Sequence, residues 1–281
     1  MRTETTVRPC LRLAALSAGV VLCLFALASP ALPASVGIGF RVGPGLASCT
    51  GLDTMPSEGG PVDFQFEKTY RTGIILGGYL SFPIGQNLLI QPEVLYSTEG
   101  CGRDFGYGFS FEREQVNYEV QDDIGCTIKL NYLEIPLLAK YIFGDPSKPA
   151  PFVVFGPALG VRVGSPRITY DITETTTITE AGEDPLVIVQ NLWLVSRIKD
   201  SVKSTNLMIV AGAGYQFKVR QVTVLAEARY TLGVTELISD PGIPVILLPT
   251  GGTRDGVPYL DSSKTSMISV SVGVTLPLVA D

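Results

Sequence analysis

Eight segments of the chain alternate apolar and polar residues with a period of two, and the connections between them are sorted by length. The segments span residues 35–43, 70–82, 88–98, 127–143, 151–163, 205–219, 222–232 and 265–278. Such alternation is typical of β-strands whose two faces meet different surroundings. The second and third, fourth and fifth, and sixth and seventh segments are joined by short, turn-like connections.

The remaining connections are long, and they cover residues 44–69, 99–126, 164–204 and 233–264. In an up-and-down meander, this order places every short turn at one end, together with both termini, and every long loop at the other. Membrane barrels have this arrangement, with short turns on one side of the bilayer and long loops on the other. We therefore predict an all-β fold, an eight-stranded antiparallel up-and-down transmembrane β-barrel, over residues 35–281.

The stretch "LNYLEIPLLAKY" shows which face should meet lipid. Pro136 argues against a helix, because it would remove a hydrogen bond and clash with the preceding turn at a cost of about 3 kcal/mol. Read as a strand, the stretch has one purely apolar face, which contains Leu133 and Ile135, and one mixed face, which contains Glu134 and Lys140. The apolar face is expected outside and the mixed face inside a closed sheet, whose interior has room for side chains only.

Several charged residues share this inward face in the other segments too. The inward charges are Arg41, Glu93, Glu134, Lys140, Arg162, Lys218, Glu227 and Arg229. An unpaired charge in a narrow lumen would cost several kcal/mol in lost hydration. We therefore expect an ion-pair network in which Glu134 and Glu227 meet basic groups drawn from Arg41, Arg162 and Arg229; a selective path for ions is the alternative.

The N-terminal residues 1–34 have the pattern of a signal peptide. Three arginines come first, an uncharged apolar run follows, and small residues suited to cleavage end the segment. A membrane anchor is the other interpretation, but the run is short for a spanning helix and prolines follow it. The signal peptide predicts export, and together with the barrel it predicts an outer-membrane location.

Three cysteines follow the signal segment: Cys49, Cys101 and Cys126. Cys101 and Cys126 lie where the third segment ends and the fourth begins, so antiparallel pairing would bring the two ends of this loop together. A disulfide between Cys101 and Cys126 is the prediction, since an exported protein meets oxidising conditions. Cys49 could compete for either partner, and three thiols is the remaining alternative.

The long connection 164–204 contains two further alternating stretches. "RITYDITETTTITE" and "LVIVQNLWLVSR" are expected to form a hairpin that projects beyond the bilayer, although Pro185 could instead begin a short helix. Aromatic residues are expected to form two girdles at the membrane boundaries. The predicted girdle residues are Phe82, Tyr141, Phe143, Phe152, Tyr215 and Phe217 near the short turns, and Tyr70, Tyr96 and Tyr230 near the long loops.

The composition argues against catalysis. The chain contains no histidine, the usual general base of hydrolases and nucleophile triads. No motif for a metal, a phosphate or a cofactor is present, so no catalytic, metal-binding or cofactor-binding residue is predicted. The net charge of −6, which becomes more negative without the basic signal segment, argues against nucleic acid as a partner.

The stretches "NYLEIPLLAKY", "PFVVFGPALG", "AGAGYQF" and "LAEARYTLG" resemble the PorT-type outer-membrane β-barrel family, relatives of the small OmpX/OmpA-like barrels. The resemblance covers residues 35–278. It implies an eight-stranded outer-membrane barrel with a role in envelope structure, adhesion or assistance to protein secretion. The chain departs from such barrels at its end, "TLPLVAD", where an aromatic residue is common.

The sequence thus favours a non-enzymatic outer-membrane barrel with long extracellular loops. Its expected partners are outer-membrane lipid and, through the loops, extracellular or envelope proteins. The alternative is a soluble lipocalin-like barrel that binds an apolar ligand, which would require the apolar face to point inward.

Overall fold

The computed structural model describes residues 36–50, 65–180, 182–197, 202–237 and 263–278. The predicted signal peptide, residues 1–34, lies outside the described residues and stays a prediction. The described part is built from antiparallel strands that form one sheet. The strands are β1 (Gly37–Thr50), β2 (Gln65–Thr69), β3 (Arg71–Pro83), β4 (Leu88–Arg113), β5 (Val116–Ile142), β6 (Ala150–Arg162), β7 (Arg167–Glu180), β8 (Leu186–Arg197), β9 (Thr205–Val219), β10 (Val222–Gly233) and β11 (Lys264–Pro277).

Eight of these strands close into a ring. Around the ring the order is β1, β3, β4, β5, β6, β9, β10 and β11, and β11 pairs with β1 to complete it. Every neighbouring pair is antiparallel, as an up-and-down meander requires. Closure leaves the ring without an unpaired edge, which is the condition for a sheet to lie in a bilayer.

The sheet extends beyond the ring at the end opposite the short turns. Residues 102–113 of β4 and 116–127 of β5 continue to pair there, β2 adds to β4, β7 adds to β5, and β8 adds to β7. We call this five-stranded extension the distal sheet. The prediction of eight strands is therefore correct for the ring and too low for the whole sheet.

The connection 99–126 is a regular hairpin, whereas the sequence predicts a long loop there. β4 and β5 run to a two-residue turn at Glu114 and Gln115, whose φ angles are 54° and 68°. Two consecutive positive φ angles characterise the type I′ turn, whose twist matches that of paired strands. The 164–204 connection contains the expected hairpin, formed by β7 and β8, and not a helix after Pro185. The described residues contain no helix that could serve as a membrane span.

The faces of the ring strands follow the predicted alternation. On β5, Glu134 and Lys140 are buried, while Leu133 and Ile135 are 37% and 46% exposed. An apolar outer surface and a charged interior are opposite to what a soluble barrel with an apolar ligand needs. The lipocalin-like alternative is therefore wrong.

Small residues on the inward face give the long side chains room. A Cβ atom on Gly212 would lie 3.0 Å from Cγ of Arg229, and one on Gly214 would lie 2.5 Å from Cζ of Phe152. Phe152 is 1% exposed and packs inside the ring, so it is not part of an outer aromatic girdle. Tyr141, another predicted girdle residue near the short turns, is exposed on the outside.

Candidate functional site

The ring encloses a network of four charged residues, which we call the central network: Arg41, Glu93, Glu227 and Arg229. Nη1 and Nη2 of Arg229 donate to the two carboxylate oxygens of Glu93 at 2.7 and 2.8 Å, and Nε of Arg229 donates to Glu227. Arg41 completes the cycle with Nη1 at 3.1 Å from Glu227 and Nη2 at 3.3 Å from Glu93. Two positive and two negative charges therefore neutralise one another inside the ring.

The fold brings these four side chains together across intervening strands. Arg41 lies on β1, Glu93 on β4, and the other two residues on β10, so β3 and β11 separate the three groups. Opposite Arg41, β3 contributes Gly77 and β11 contributes Gly273. These glycines leave space that the long charged side chains fill. The network thus depends on small residues as much as on charged ones.

Neighbouring polar groups hold the central network in place. Nε2 of Gln91 donates to Glu93 at 2.5 Å, and the guanidinium of Arg41 lies 5.0 Å from the ring centroid of Tyr79. The Tyr79 hydroxyl lies 2.7 Å from Oγ1 of Thr275 on β11. Gln91 and Tyr79 were not predicted from the sequence, although Gln91 shares the inward period of Glu93 on β4.

The predicted charge Glu134 lies outside the central network. It is buried beside Glu99, with the hydroxyls of Ser97 and Thr265 nearby, and forms no ion pair with a basic group of the described residues. The prediction that Glu134 meets an arginine is therefore wrong. Glu99 was not predicted, because it lies one residue beyond the expected end of the third segment at residue 98.

The other three cations lie nearer the ends of the ring. Lys140 is buried on β5, with Nζ 4.0 Å from the centroid of Phe152. Lys218 is exposed at the short-turn end, and Arg162 is half-buried opposite Tyr132 at the far end of β6. Glu99, Glu134 and Arg162 therefore lie on the distal-sheet side of the central network, and Lys140 and Lys218 lie on the short-turn side.

The disulfide joins Cys49 to Cys101, so the predicted bridge between Cys101 and Cys126 is wrong. Cys101 lies opposite Ile128, and Cys126 lies opposite the residue two positions after Cys101. Such a stagger separates Cα atoms by about 7–8 Å, which is too far for a disulfide. β3 lies between β1 and β4, but beyond Ala47 no described residue of β3 pairs with β1. Cys49 on β1 can therefore approach Cys101 on β4, and their Cα atoms lie 5.3 Å apart.

The disulfide belongs to an apolar core at the junction of the ring and the distal sheet. Burial raises the pKa of the Tyr170 hydroxyl in this core, with a further contribution from Cys126 on the adjacent strand. Within the described ranges, no group of histidine, cysteine and carboxylate side chains could hold a metal ion. The core contains Cys49, Cys101, Ile124, Ile128, Leu130, Tyr132, Ile168, Tyr170, Ile172, Val202 and Leu237.

The comparison with protein families agrees with this architecture. The profile of the outer membrane protein beta-barrel domain matches residues 28–239. Structural similarity is found to Neisserial surface protein A (11% identity over 84% of this chain and 96% of that chain, TM-score 0.30) and to Ail, the attachment invasion locus protein of Yersinia pestis (9% identity, 86% and 100%, TM-score 0.30). At these TM-scores the structural similarity adds nothing to the family match.

A comparison with curated sequences finds no significant match. The family profile nevertheless spans about three quarters of the chain, from before β1 to the residues after β10. Its description fits a closed ring of eight strands with an apolar outer surface. The chain therefore belongs to the outer membrane protein beta-barrel domain family and is a β-barrel protein of the outer membrane.

Proposed function

We propose that the protein is a non-enzymatic barrel that binds a polypeptide partner outside the cell through its distal sheet. In outer-membrane barrels the short turns face the periplasm and the long connections face outward. The distal sheet would then project from the cell surface. This role agrees with the adhesion or secretion-assisting functions that the resemblance to PorT-type barrels implies, and it names the surface that would perform them.

The observation that carries the proposal is β8, an edge strand of the described sheet. Eleven of its twelve residues are exposed, and its apolar side chains lie on both faces. Trp193 is 68% exposed, and Val187 and Val189 are each 56% exposed. The strand has a single charged residue, Arg197, at its very end. Sheet edges are normally protected by charges, prolines or short length, and β8 has almost none of this protection.

Strand addition explains how such an edge would bind. An extended polypeptide that pairs with β8 satisfies the backbone groups on its open side and covers apolar side chains on both faces. β7 already pairs with the opposite side of β8, with Thr175 opposite Val189 and Thr177 opposite Val187. A partner with alternating threonine and aliphatic residues would therefore fit the free side.

A synthetic peptide with the β7 sequence, residues 167–180, provides a direct test. Labelled peptide should bind the purified protein in fluorescence anisotropy, with a dissociation constant in the range of about 1–100 μM. Replacing Val187 and Val189 together by lysine should weaken binding at least about tenfold, because lysine blocks an edge. The matched control replaces Thr175 and Thr177, on the same rungs of β7, by lysine, and should change binding less than about threefold.

Two results would contradict the proposal. In one, the unmodified protein fails to bind the β7 peptide more tightly than a scrambled peptide. In the other, both lysine pairs weaken binding equally. These outcomes concern β8 alone and leave the barrel assignment unchanged.

We also propose that the lumen does not conduct ions and that the protein has no catalytic activity. The central network lies in the middle of an eight-stranded ring, whose interior is narrow. The chain has no histidine, and the carboxylates of the central network face arginines and not a nucleophile. Reconstitution into planar bilayers should give no unitary conductance, and steady single-channel steps would contradict this.

Outer-membrane lipid would be the second partner. Exposed aliphatic and aromatic side chains of the ring strands form the surface that would meet it, including Val42, Phe155 and Val272. Nucleic acid is not a proposed partner, because the chain is acidic.

A further inference from the structure

A cavity of about 400 Å³ opens at the short-turn end of the ring, which is the periplasmic end of an outer-membrane barrel. Three of its lining residues are cations: Lys140 on β5, Lys218 on β9 and Arg220 in the turn between β9 and β10. None of the described residues that line it is acidic. We propose that this cavity binds a small, water-soluble phosphate ester from the periplasm.

Lys140 provides the strongest reason. Its side chain is only 5% exposed, and its ammonium group forms no ion pair with a carboxylate of the described ranges. Glu227, whose charge acts on it, is already held by Arg41 and Arg229. The contact with Phe152 offsets part of the lost hydration, but a buried cation is costly without an anionic partner. The cavity is the side from which such a partner can arrive.

The two cations at the mouth fit the same ligand. Lys218 follows the inward period of β9, and Arg220 has a φ angle of 56° in a two-residue turn. A guanidinium can bind two phosphate oxygens at once, and lysines bind phosphate as point charges. Asp145 in the adjacent turn is already engaged, because the hydroxyl and amide of Ser147 hold its pKa below the usual value and Lys148 lies 3.6 Å away.

The shape of the cavity favours a soluble ester over a lipid headgroup or inorganic phosphate. Its polar residues Ser81, Gln216 and Thr275 lie at inward positions of their strands, so the wall of the ring separates them from the bilayer. Sites for small organic ligands have volumes of about 300–1,000 Å³, which is more than phosphate alone needs. Thr275 contacts Tyr79, which packs on Arg41 of the central network. These contacts connect the wall of the cavity to the central network.

Titration calorimetry of the purified protein in detergent at low salt tests the proposal with glucose 6-phosphate as the probe. The expected dissociation constant lies below about 1 mM. Lys140→Met and Arg220→Gln should each weaken binding at least about tenfold, since each removes a charge-assisted contact. Lys129→Gln is the matched control, since Lys129 is exposed on β5, the strand of Lys140, and does not line the cavity, and it should leave binding unchanged.

Comparison ligands decide the chemical class. Glucose should not bind, and inorganic phosphate should bind at least about fivefold more weakly than glucose 6-phosphate. Equal affinity for phosphate and the ester, or tighter binding of short-chain phosphatidylglycerol, would overturn the assignment to a soluble ester. No binding of glucose 6-phosphate, or unchanged binding in Lys140→Met, would overturn the site itself. Each variant is first shown to keep its heat-dependent gel mobility, which reports that the barrel has folded.

Discussion

The two halves of β5 share one burial pattern but have opposite chemistry. Even-numbered side chains are buried or half-buried along nearly the whole strand. The outward positions after residue 132 are apolar, as at Leu133 and Ile135, whereas those before it are polar, as at Gln121 and Lys129. A single strand is therefore built for lipid at one end and for water at the other.

The difference locates the boundary of the bilayer. Toward the short turns from Asn131, the outward face of β5 is a row of aliphatic and aromatic side chains, and toward the distal sheet it has amide, charged and hydroxyl groups. The inward face is mixed in both regions, with Glu134 and Lys140 among apolar side chains such as Leu138 in the ring, and Asp122 beside Ile124 in the distal sheet. The two regions therefore differ in their outward faces, which are apolar in the ring and polar in the distal sheet.

The largest expected effect comes from removing a charge inside the ring. Arg229→Met leaves Glu93 and Glu227 with less compensation, and losing one partner of a buried ion pair costs about 3–5 kcal/mol. Arg167→Met, at an exposed position of β7, should change the free energy of unfolding by less than about 0.5 kcal/mol. Denaturant titration followed by far-ultraviolet circular dichroism measures both. Equal losses in the two variants would show that the ring interior tolerates unpaired charge as the outer surface does.

The disulfide joins the two regions, and its removal should have the next largest effect. Cys101→Ala opens a loop closed across 52 residues of sequence separation, which the chain-entropy account values at about 4 kcal/mol. Cys126→Ala, on the neighbouring strand, should cost less than about 2 kcal/mol. Unreduced peptide mapping should recover Cys49 joined to Cys101. Recovery of Cys101 joined to Cys126 would refute this pairing.

A third pair of variants tests the boundary on the outward face of β5. Ile135→Arg places a charge toward the middle of the apolar band and should lower the free energy of unfolding from lipid by about 2–4 kcal/mol. Gln121→Arg lies on the same face of the same strand in the distal sheet, where it should cost less than about 0.5 kcal/mol. Titrations of unfolding from phospholipid vesicles compare the two. A similar cost at both positions would place residue 121 within the bilayer.

The change in the outward face also explains what the sequence could and could not predict. The ring strands were predictable because apolar residues such as Val270 and Val272 alternate with serine and glycine. The connection 99–126 lacks this signal. Along β5 the even-numbered positions stay buried or half-buried, but the apolar residues lie at odd-numbered positions in the ring and at even-numbered positions in the distal sheet. An apolar pattern interpreted for a lipid-facing strand therefore breaks where the outward face begins to meet water, and the break is taken for the end of the strand.

Contacts between side chains of distant strands were harder to predict. The pairing of Glu227 with Arg41 and Arg229 follows from inward positions near the same level of the ring. The place of Glu134 does not, because the register sets it opposite Leu95, whereas its carboxyl group reaches along β4 to Ser97 and Glu99. Periodicity assigns a side chain to a face, but its neighbours depend on the register and on how far the side chain reaches.

The disulfide illustrates the same limit. The bridge from Cys49 to Cys101 depends on β3 pairing with β1 only as far as Ala47. The point at which two strands separate is a property of the folded sheet and not of the alternation in either strand. Spacing along the chain favoured the nearer cysteine, and the geometry of the sheet favours the more distant one.

The smallest expected effect is a pH dependence of the distal sheet at Glu174. Burial, with repulsion from Asp122 opposite it on β5, raises the pKa of Glu174 above its ordinary value of 4.5. Because this pKa is higher in the folded state, folding favours the protonated form of Glu174. The resulting contribution to stability is complete below the unfolded-state pKa and is lost as the pH rises through the folded-state pKa. Like charges on facing strand positions cost about 0.2–1 kcal/mol.

Glu174→Gln removes this titration and provides the test. Trp193, the one tryptophan of the chain, lies on β8 and reports unfolding of the distal sheet by fluorescence. In urea titrations, the difference in stability between the unmodified protein and Glu174→Gln should change by about 0.2–1 kcal/mol between about pH 4 and pH 7. The glutamine variant should gain at the higher pH, because it keeps an uncharged side chain opposite Asp122. A constant difference across that range would show that Glu174 keeps an ordinary pKa.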